Sequence, residues 1–183
     1  MRIIAGTLKG RRLEAPDWPG LRPTSDKLRE TLFNTLASRM DGARFLDGFA
    51  GTGAVGIEAV SRGAAHVTFV ERDARAVRLI EKNIARAGVS ADRHVIIRAE
   101  LTGGIRRLAG QRFDIVFLDP PYGAADLHDA LTAVEPLIGT ETLLVIEHAK
   151  RDAAPAERGS LVRAREIVSG DSALALYRVA EAS

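Results

Sequence analysis

Cysteine is absent from the 183-residue chain, which excludes disulfides, thiolate nucleophiles and Cys-ligated metal sites. The four histidines, His66, His94, His128 and His148, show no ligand spacing, so no metal is expected. No apolar run reaches the roughly 20 residues that cross a bilayer, and no charged-then-apolar segment opens the chain. A cytoplasmic protein with no membrane partner is the expectation. Internal repeats and low-complexity tracts are missing as well, and no serine or histidine stands out as a nucleophile. Net charge is small, at +2, but it is unevenly spread. Residues 1–39 hold eight Lys/Arg against four acids, a net of +4, and the remainder, with 18 against 20, carries −2. A basic arm on a slightly acidic body suits a polyanion-binding extension, although a merely solvated basic face has the same composition.

What the chain does have is the balance of one soluble domain over residues 1–183, with 46% hydrophobic and 27% charged residues. Residues 1–23 read as a basic hairpin and loop, with strand-like pieces at Arg2 to Ala5 and Arg11 to Leu13 and with Lys9, Arg11 and Arg12 near the tip. Pro16, Pro19, Gly20 and Pro23 around Trp18 favour an extended loop. Thr24 or Ser25 is placed to cap a helix whose Leu28, Leu32, Leu36 and Met40 form an inward stripe, which leaves Arg29, Glu30 and Asn34 facing away.

From Ala43 onward strands near 43–47, 66–71, 94–98, 113–118 and 142–147 alternate with helices at 53–62, 73–87, 101–109 and 126–138. That alternation calls for a mostly parallel α/β sheet with crossover helices. The segments 161–168 and 172–179, joined through Ser169-Gly170-Asp171, leave no room for a helix and should close the sheet as an antiparallel hairpin.

Two stretches carry chemistry. Asp47-Gly48-Phe49-Ala50-Gly51-Thr52-Gly53-Ala54-Val55-Gly56 runs from the first sheet strand into its helix and contains G-x-G-x-x-G, with Glu71 about twenty residues on, at a strand end where an acid can bind ribose hydroxyls. The glycine spacing fits NAD and S-adenosylmethionine equally. Asp47 separates them: a carboxylate there repels a pyrophosphate but attracts the ammonium and sulfonium groups of the methyl donor. The second stretch, Asp119-Pro120-Pro121-Tyr122, ends an apolar strand with a carboxylate, two prolines that cannot extend the ladder, and a ring. Asp119 and the Pro120 carbonyl can together receive both hydrogens of a flat –NH2 group while Tyr122 stacks on it. Catalysis is therefore assigned to Asp119, Pro120 and Tyr122. Donor binding falls to Asp47, Gly48, Ala50, Gly51, Gly53, Glu71 and Arg72. These residues leave open whether the amine belongs to adenine, cytosine, guanine or a glutamine amide, and an NAD-dependent oxidoreductase or a non-catalytic RNA-binding module are the rival readings.

Beyond these motifs the chain resembles the RsmD-type methyltransferases, which methylate the N2 amine of one guanine in bacterial 16S ribosomal RNA. The similarity runs nearly end to end. It rests on Arg2-Ile3-Ile4-Ala5-Gly6 with Gly10-Arg11-Arg12-Leu13, and on Leu21-Arg22-Pro23-Thr24 with Asp26 and Arg29-Glu30-Thr31-Leu32-Phe33-Asn34. It continues through the glycine loop with Glu58-Ala59, Glu71, the Asp119 to Tyr122 turn and Glu147-His148. The resemblance implies a Rossmann-like class I methyltransferase fold, S-adenosylmethionine as donor and 16S RNA as partner; the residues leave open whether that RNA is naked or within an assembling small subunit, and a monomer is the expectation. It also implies that Arg22 to Asn34 help cover the donor and meet RNA, which adds Arg22 and Thr24 to the donor site, and that Lys9, Arg11, Arg12, Arg22 and Arg29 contact RNA. One place departs from the pattern. Such enzymes often have Asp or Asn before an alanine after the third strand, to reach the adenine amine, and here Arg98-Ala99-Glu100 stands there. Arg98 cannot accept that bond, so Ala99 through its backbone, Glu100, or apolar contact must serve.

Overall fold

The computed structural model describes residues 1–21, 24–121 and 123–180; Arg22, Pro23 and Tyr122 lie outside them. Five parallel strands follow the expected positions: β1 (Arg44–Gly48), β2 (His66–Glu71), β3 (His94–Arg98), β4 (Ile115–Leu118) and β5 (Leu143–Ala149). They are joined by β6 (Glu157–Arg158), β7 (Leu161–Ser169) and β8 (Ser172–Val179) in one sheet of order β3-β2-β1-β4-β5-β8-β7-β6. β8 lies antiparallel against β5, and β7 antiparallel against β8, as the closing hairpin requires. From β1 the chain crosses one way to β2 and later returns on the other side as β4. The reversal leaves a crevice above the C-terminal ends of β1 and β4, the usual place for ligands in open α/β sheets.

Helices α1 (Asp26–Leu36), α2 (Ala54–Ser61) and α3 (Ala74–Ala87) cover one face, and α4 (Leu101–Arg107) and α5 (Ala124–Val134) the other. Local chemistry sets their ends. Ser25 caps α1, its hydroxyl accepting from the Leu28 N–H at 3.2 Å, and Gly88, at φ +66°, stops α3. α2 rides unusually close to β2, because a Cβ on Gly56 would fall 2.2 Å from the Phe69 ring. Only glycine allows that approach, and it places the first turn of α2 directly over the end of β1. Among the described residues no helix is long and apolar enough to cross a membrane.

The N-terminal arm differs from the expected β-hairpin. Its two sides meet in a single antiparallel bridge, Arg2 to Arg12, with the Ile3 N–H donating to the Arg11 carbonyl at 3.0 Å and Gly10 N–H to Ile3 at 2.9 Å. What holds the arm is the body. Ile3 and Leu13 are buried in the core with α1, and the buried Glu58 of α2 accepts from the Ile4 and Ala5 N–H groups at 2.8 and 3.0 Å. Further along, the buried Asn83 accepts from the Glu14 N–H and donates to the Glu14 and Thr52 carbonyls, tying the arm to the glycine loop.

One of the expected RNA contacts is corrected here. Arg29 is fully buried, donates to the Arg2 carbonyl and Asp26, and faces Glu58 at 3.7 Å. It is an internal tie, because α1 buries a second stripe, Arg29 and Phe33, beside the leucines. Arg11 bends back so that its guanidinium donates to the Ala87 carbonyl at the end of α3, where a cation complements the helix dipole. That bond ties the arm to α3, while Arg11 as a residue stays exposed. Lys9 and Arg12 remain exposed.

Candidate active site

The glycine loop is wired by two acids. Asp47 closes β1, is 2% exposed, and its Oδ2 accepts the Gly56 N–H at 2.9 Å, inside the first turn of α2. Burial pushes its carboxyl up to about 7 against the pull of that N–H, with Glu71 adding repulsion. Glu71 at the end of β2 spends both oxygens on backbone: Oε2 accepts from Gly51 at 2.9 Å and Oε1 from Asp73 at 2.8 Å. That pins the loop to the next strand end. Its role in fixing the loop is additional to the ribose contact expected from its position.

Between these strand ends lies a cleft lined by Phe49, Val70, Glu71, Arg72, Ala99, Glu100 and Leu101. Three predicted residues, Glu71, Arg72 and Ala99, thus share one wall, and Phe49, Val70 and Leu101 supply apolar surface that the sequence reading overlooked. Phe49 is the informative omission. It holds φ at +92° as the lone non-glycine residue with positive φ among those described, a strained state that survives only where the surroundings demand it. A bulky ring inside a loop otherwise made of Gly, Ala and Thr was the available signal. The Ala99 N–H is already given to the Glu71 carbonyl at 3.0 Å, so only the Ala99 carbonyl is left for a ligand amine. Glu100 pairs with Arg72 at 3.3 Å on the exposed rim. Arg98 is exposed and outside the lining.

On the other side of β1, the last residues paired between β4 and β5 are Leu118 and Ile146, so Asp119 follows the end of β4 next to Glu147, which lies within β5 and still pairs with β8. Phe45, Phe117 and Val145 mark the face that carries α1 and α2, and alternation brings Asp47, Asp119 and Glu147 onto it. Desolvation first, then repulsion from Glu147 and Asp47, holds Asp119 well above the usual carboxylate range. Burial pushes Glu147 up to about 7, opposed by the Ser172 hydroxyl. Among the described residues neither the Asp119 carboxylate nor the Pro120 carbonyl receives a hydrogen bond. Tyr122 and Arg22 lie outside the described residues. Thr24 is half-buried just before the Ser25 cap.

A crowded carboxylate set leaves a stability signature. Glu147 ionises near pH 7 in the folded protein and near 4.3 when unfolded. Its contribution to stability is therefore fully present below the unfolded value and is lost as pH rises through about 7. Glu147→Gln has no such loss. The melting temperatures of variant and wild type should lie close at pH 5 and separate by several degrees in the variant's favour at pH 8. A gap that does not change with pH would place the Glu147 carboxyl in ordinary solvent.

Carboxylates and glycines at the ends of β1 and β2 thus lie beside the Asp119-Pro120 turn that follows β4, in one crevice at the C-terminal edge of the sheet. Comparisons with known proteins show the chain's family. A family model described as Conserved hypothetical protein 95 matches residues 1–178. The chain belongs to this family, the RsmD-type methyltransferases. The ribosomal RNA small subunit methyltransferase D of Escherichia coli K12 is 37% identical over 180 residues, covering 97% of this chain and 89% of that protein. The solved structure of the Escherichia coli protein yhhF superposes with a TM-score of 0.84 at 36% identity, over 98% of this chain and 97% of that one. A hypothetical protein of Thermus thermophilus gives 0.82 at 33% identity, over 98% and 99%. The RsmD resemblance read from the sequence, and the class I methyltransferase architecture it implied, are thus borne out.

Proposed function

We propose that the protein transfers a methyl group from S-adenosylmethionine to the exocyclic N2 amine of a guanine in 16S ribosomal RNA, acting as a monomer in the cytoplasm on an assembling small subunit. Family membership supports an RNA methyltransferase acting on the small subunit. The observation that carries the chemistry is a pair of acceptors, Asp119 and the Pro120 carbonyl, that receive no hydrogen bond among the described residues and lie next to a loop and cleft suited to the donor.

The residues fit the donor. Phe49, Val70 and Leu101 give the cleft apolar lining beside the carboxylates Glu71 and Glu100, the mixture of apolar surface and acceptors that suits an adenosine. Asp47, Gly48, Ala50, Gly51, Gly53, Glu71, Arg72 and Ala99, with Arg22 and Thr24 from the neighbouring segment, would hold it. When bound, S-adenosylmethionine supplies an electrophilic methyl group on its sulfonium. Asp119 and the Pro120 carbonyl accept the two amine hydrogens and so direct the nitrogen lone pair. Alignment of this kind is worth roughly 7–11 kcal/mol when geometry is good. No protein nucleophile takes part. The negative charge shared by Asp119 and Glu147 stabilises the positive charge that builds on nitrogen. Tyr122 is assigned to stack on the extruded base, where about 1–3 kcal/mol of stacking offsets the unstacking cost.

The arm supplies affinity. Lys9 and Arg12 are exposed and hold no ion pair among the described residues. Changing both to alanine should weaken RNA binding and lower the slope of log affinity against log salt by roughly 0.7–0.9 per charge. Arg11→Ala should instead lower the melting temperature, since it removes the bond to Ala87. Binding isotherms at several salt concentrations check this, and an unchanged slope for the double variant would remove the arm from the interface. The function itself is tested with labelled S-adenosylmethionine and small-subunit particles from cells lacking this enzyme. Label should enter the 16S RNA with wild type and not with Asp119→Ala.

A further inference from the structure

Three glutamates anchor this side of the fold, and two are saturated. Glu58 has both oxygens on the Ile4, Ala5 and Arg62 N–H groups, and Glu71 has both on Gly51 and Asp73. Glu147 is the exception. Its Oε2 is buried and accepts no hydrogen bond, and no cation pairs with the side chain among the described residues. His148, the next residue, points to the opposite face and meets Glu166 at 3.3 Å. An acceptor withheld from water and from the protein is costly, and strand register places this one immediately beside Asp119.

We propose that Glu147 is a specificity-determining residue, whose free oxygen accepts the ring N1–H of the guanine while Asp119 and the Pro120 carbonyl hold its N2 amine. The assignment rests on the guanine reading above and gives it a physical basis in this chain. Guanine presents two adjacent donors on its pairing edge, N1–H and N2–H. Adenine and cytosine instead place a ring nitrogen lone pair beside their amine. Two neighbouring carboxyl acceptors match the first arrangement and repel the second, because an acceptor facing an acceptor leaves both unpaired. One proton retained in this crowded set, where burial and repulsion oppose ionisation, does not spoil the match. Held on Asp119, it leaves a carbonyl oxygen for the amine and a full carboxylate on Glu147.

The test uses target RNA carrying either guanine or 2-aminopurine at the methylated position. The analogue keeps the N2 amine and lacks N1–H. For wild type, kcat/KM should favour guanine by roughly 10²-fold or more. Glu147→Gln can turn its amide NH2 towards the bare ring nitrogen, so the preference should shrink at least about tenfold. The missing O6 of the analogue affects both enzymes alike and cancels in that comparison. Where turnover of the variant is too slow to follow, the ratio of affinities for the two RNAs supplies the same quantity, with thermal melting and donor binding confirming that the variant is folded. An equal preference in both enzymes, or a wild type indifferent to the analogue, overturns the Glu147 assignment and leaves the function standing. A folded wild type that transfers nothing to guanine overturns both.

Discussion

Replacing Asp119 with alanine should lower the rate of methyl transfer by about 10²-fold or more, leave donor affinity within a few fold, and raise the melting temperature. These three results belong together. Asp119 receives no hydrogen bond among the described residues, and desolvation and the neighbouring Glu147 and Asp47 all oppose its ionisation. A group so poorly served by the folded state is retained for what it does to a substrate, and removing it relieves repulsion. Donor affinity should hold because the cleft and the glycine loop are built from β1, β2 and the segment after β3, not from β4. Single-turnover transfer, calorimetric titration with S-adenosylmethionine and thermal melting measure the three. Loss of activity together with an equal loss of donor binding would make Asp119 part of the donor site. A fall in melting temperature would make it structural.

The largest effect on stability should come from Glu58→Ala, at about 3–5 kcal/mol. Glu58 and Arg29 are both fully buried and 3.7 Å apart, so truncating the acid leaves a guanidinium inside the core with only the half-exposed Asp26 as counter-charge. The same change strips the Ile4 and Ala5 N–H groups of their acceptor and frees Arg62, which Glu58 holds at 2.8 Å. Asp26, the other acid on Arg29, has a side chain 56% exposed, and Asp26→Ala should cost less than about 1 kcal/mol. Urea unfolding of the two variants gives the comparison. The Glu58 variant should also expose the arm to proteolysis before the body unfolds, since the arm's backbone is held to α2 through this carboxylate. Equal, small losses for both variants would mean that the arm is held without this carboxylate, by Ile3, Leu13 and the bonds to Ser61, Asn83 and Ala87.

The parallel sheet and both chemical stretches were legible because they are written in local patterns. Apolar runs of strand length recur between amphipathic segments, the glycines mark the loop, and two prolines mark the end of β4. The charge of Asp47 pointed to a sulfonium over a pyrophosphate, and the family comparison supports the methyl donor. What was missed depended on partners distant in sequence. Arg29 was assigned to solvent and RNA because a charge on a helix is normally exposed. Its burial depends on Glu58, which arrives from another helix. Arg11 looked free for the same reason, and the Ala87 carbonyl that engages it is 76 residues away. Glu147 belonged to the family resemblance without a role, because its position beside Asp119 follows from strand order and register, which periodicity does not report.

Nucleoside analysis of the product tests the central claim most directly. Small-subunit RNA from cells lacking the enzyme, methylated in vitro and digested to nucleosides, should yield N2-methylguanosine as the labelled species, from a single site. Label in N6-methyladenosine or N4-methylcytidine, or an RNA left unlabelled by a folded, donor-bound enzyme, would contradict the account.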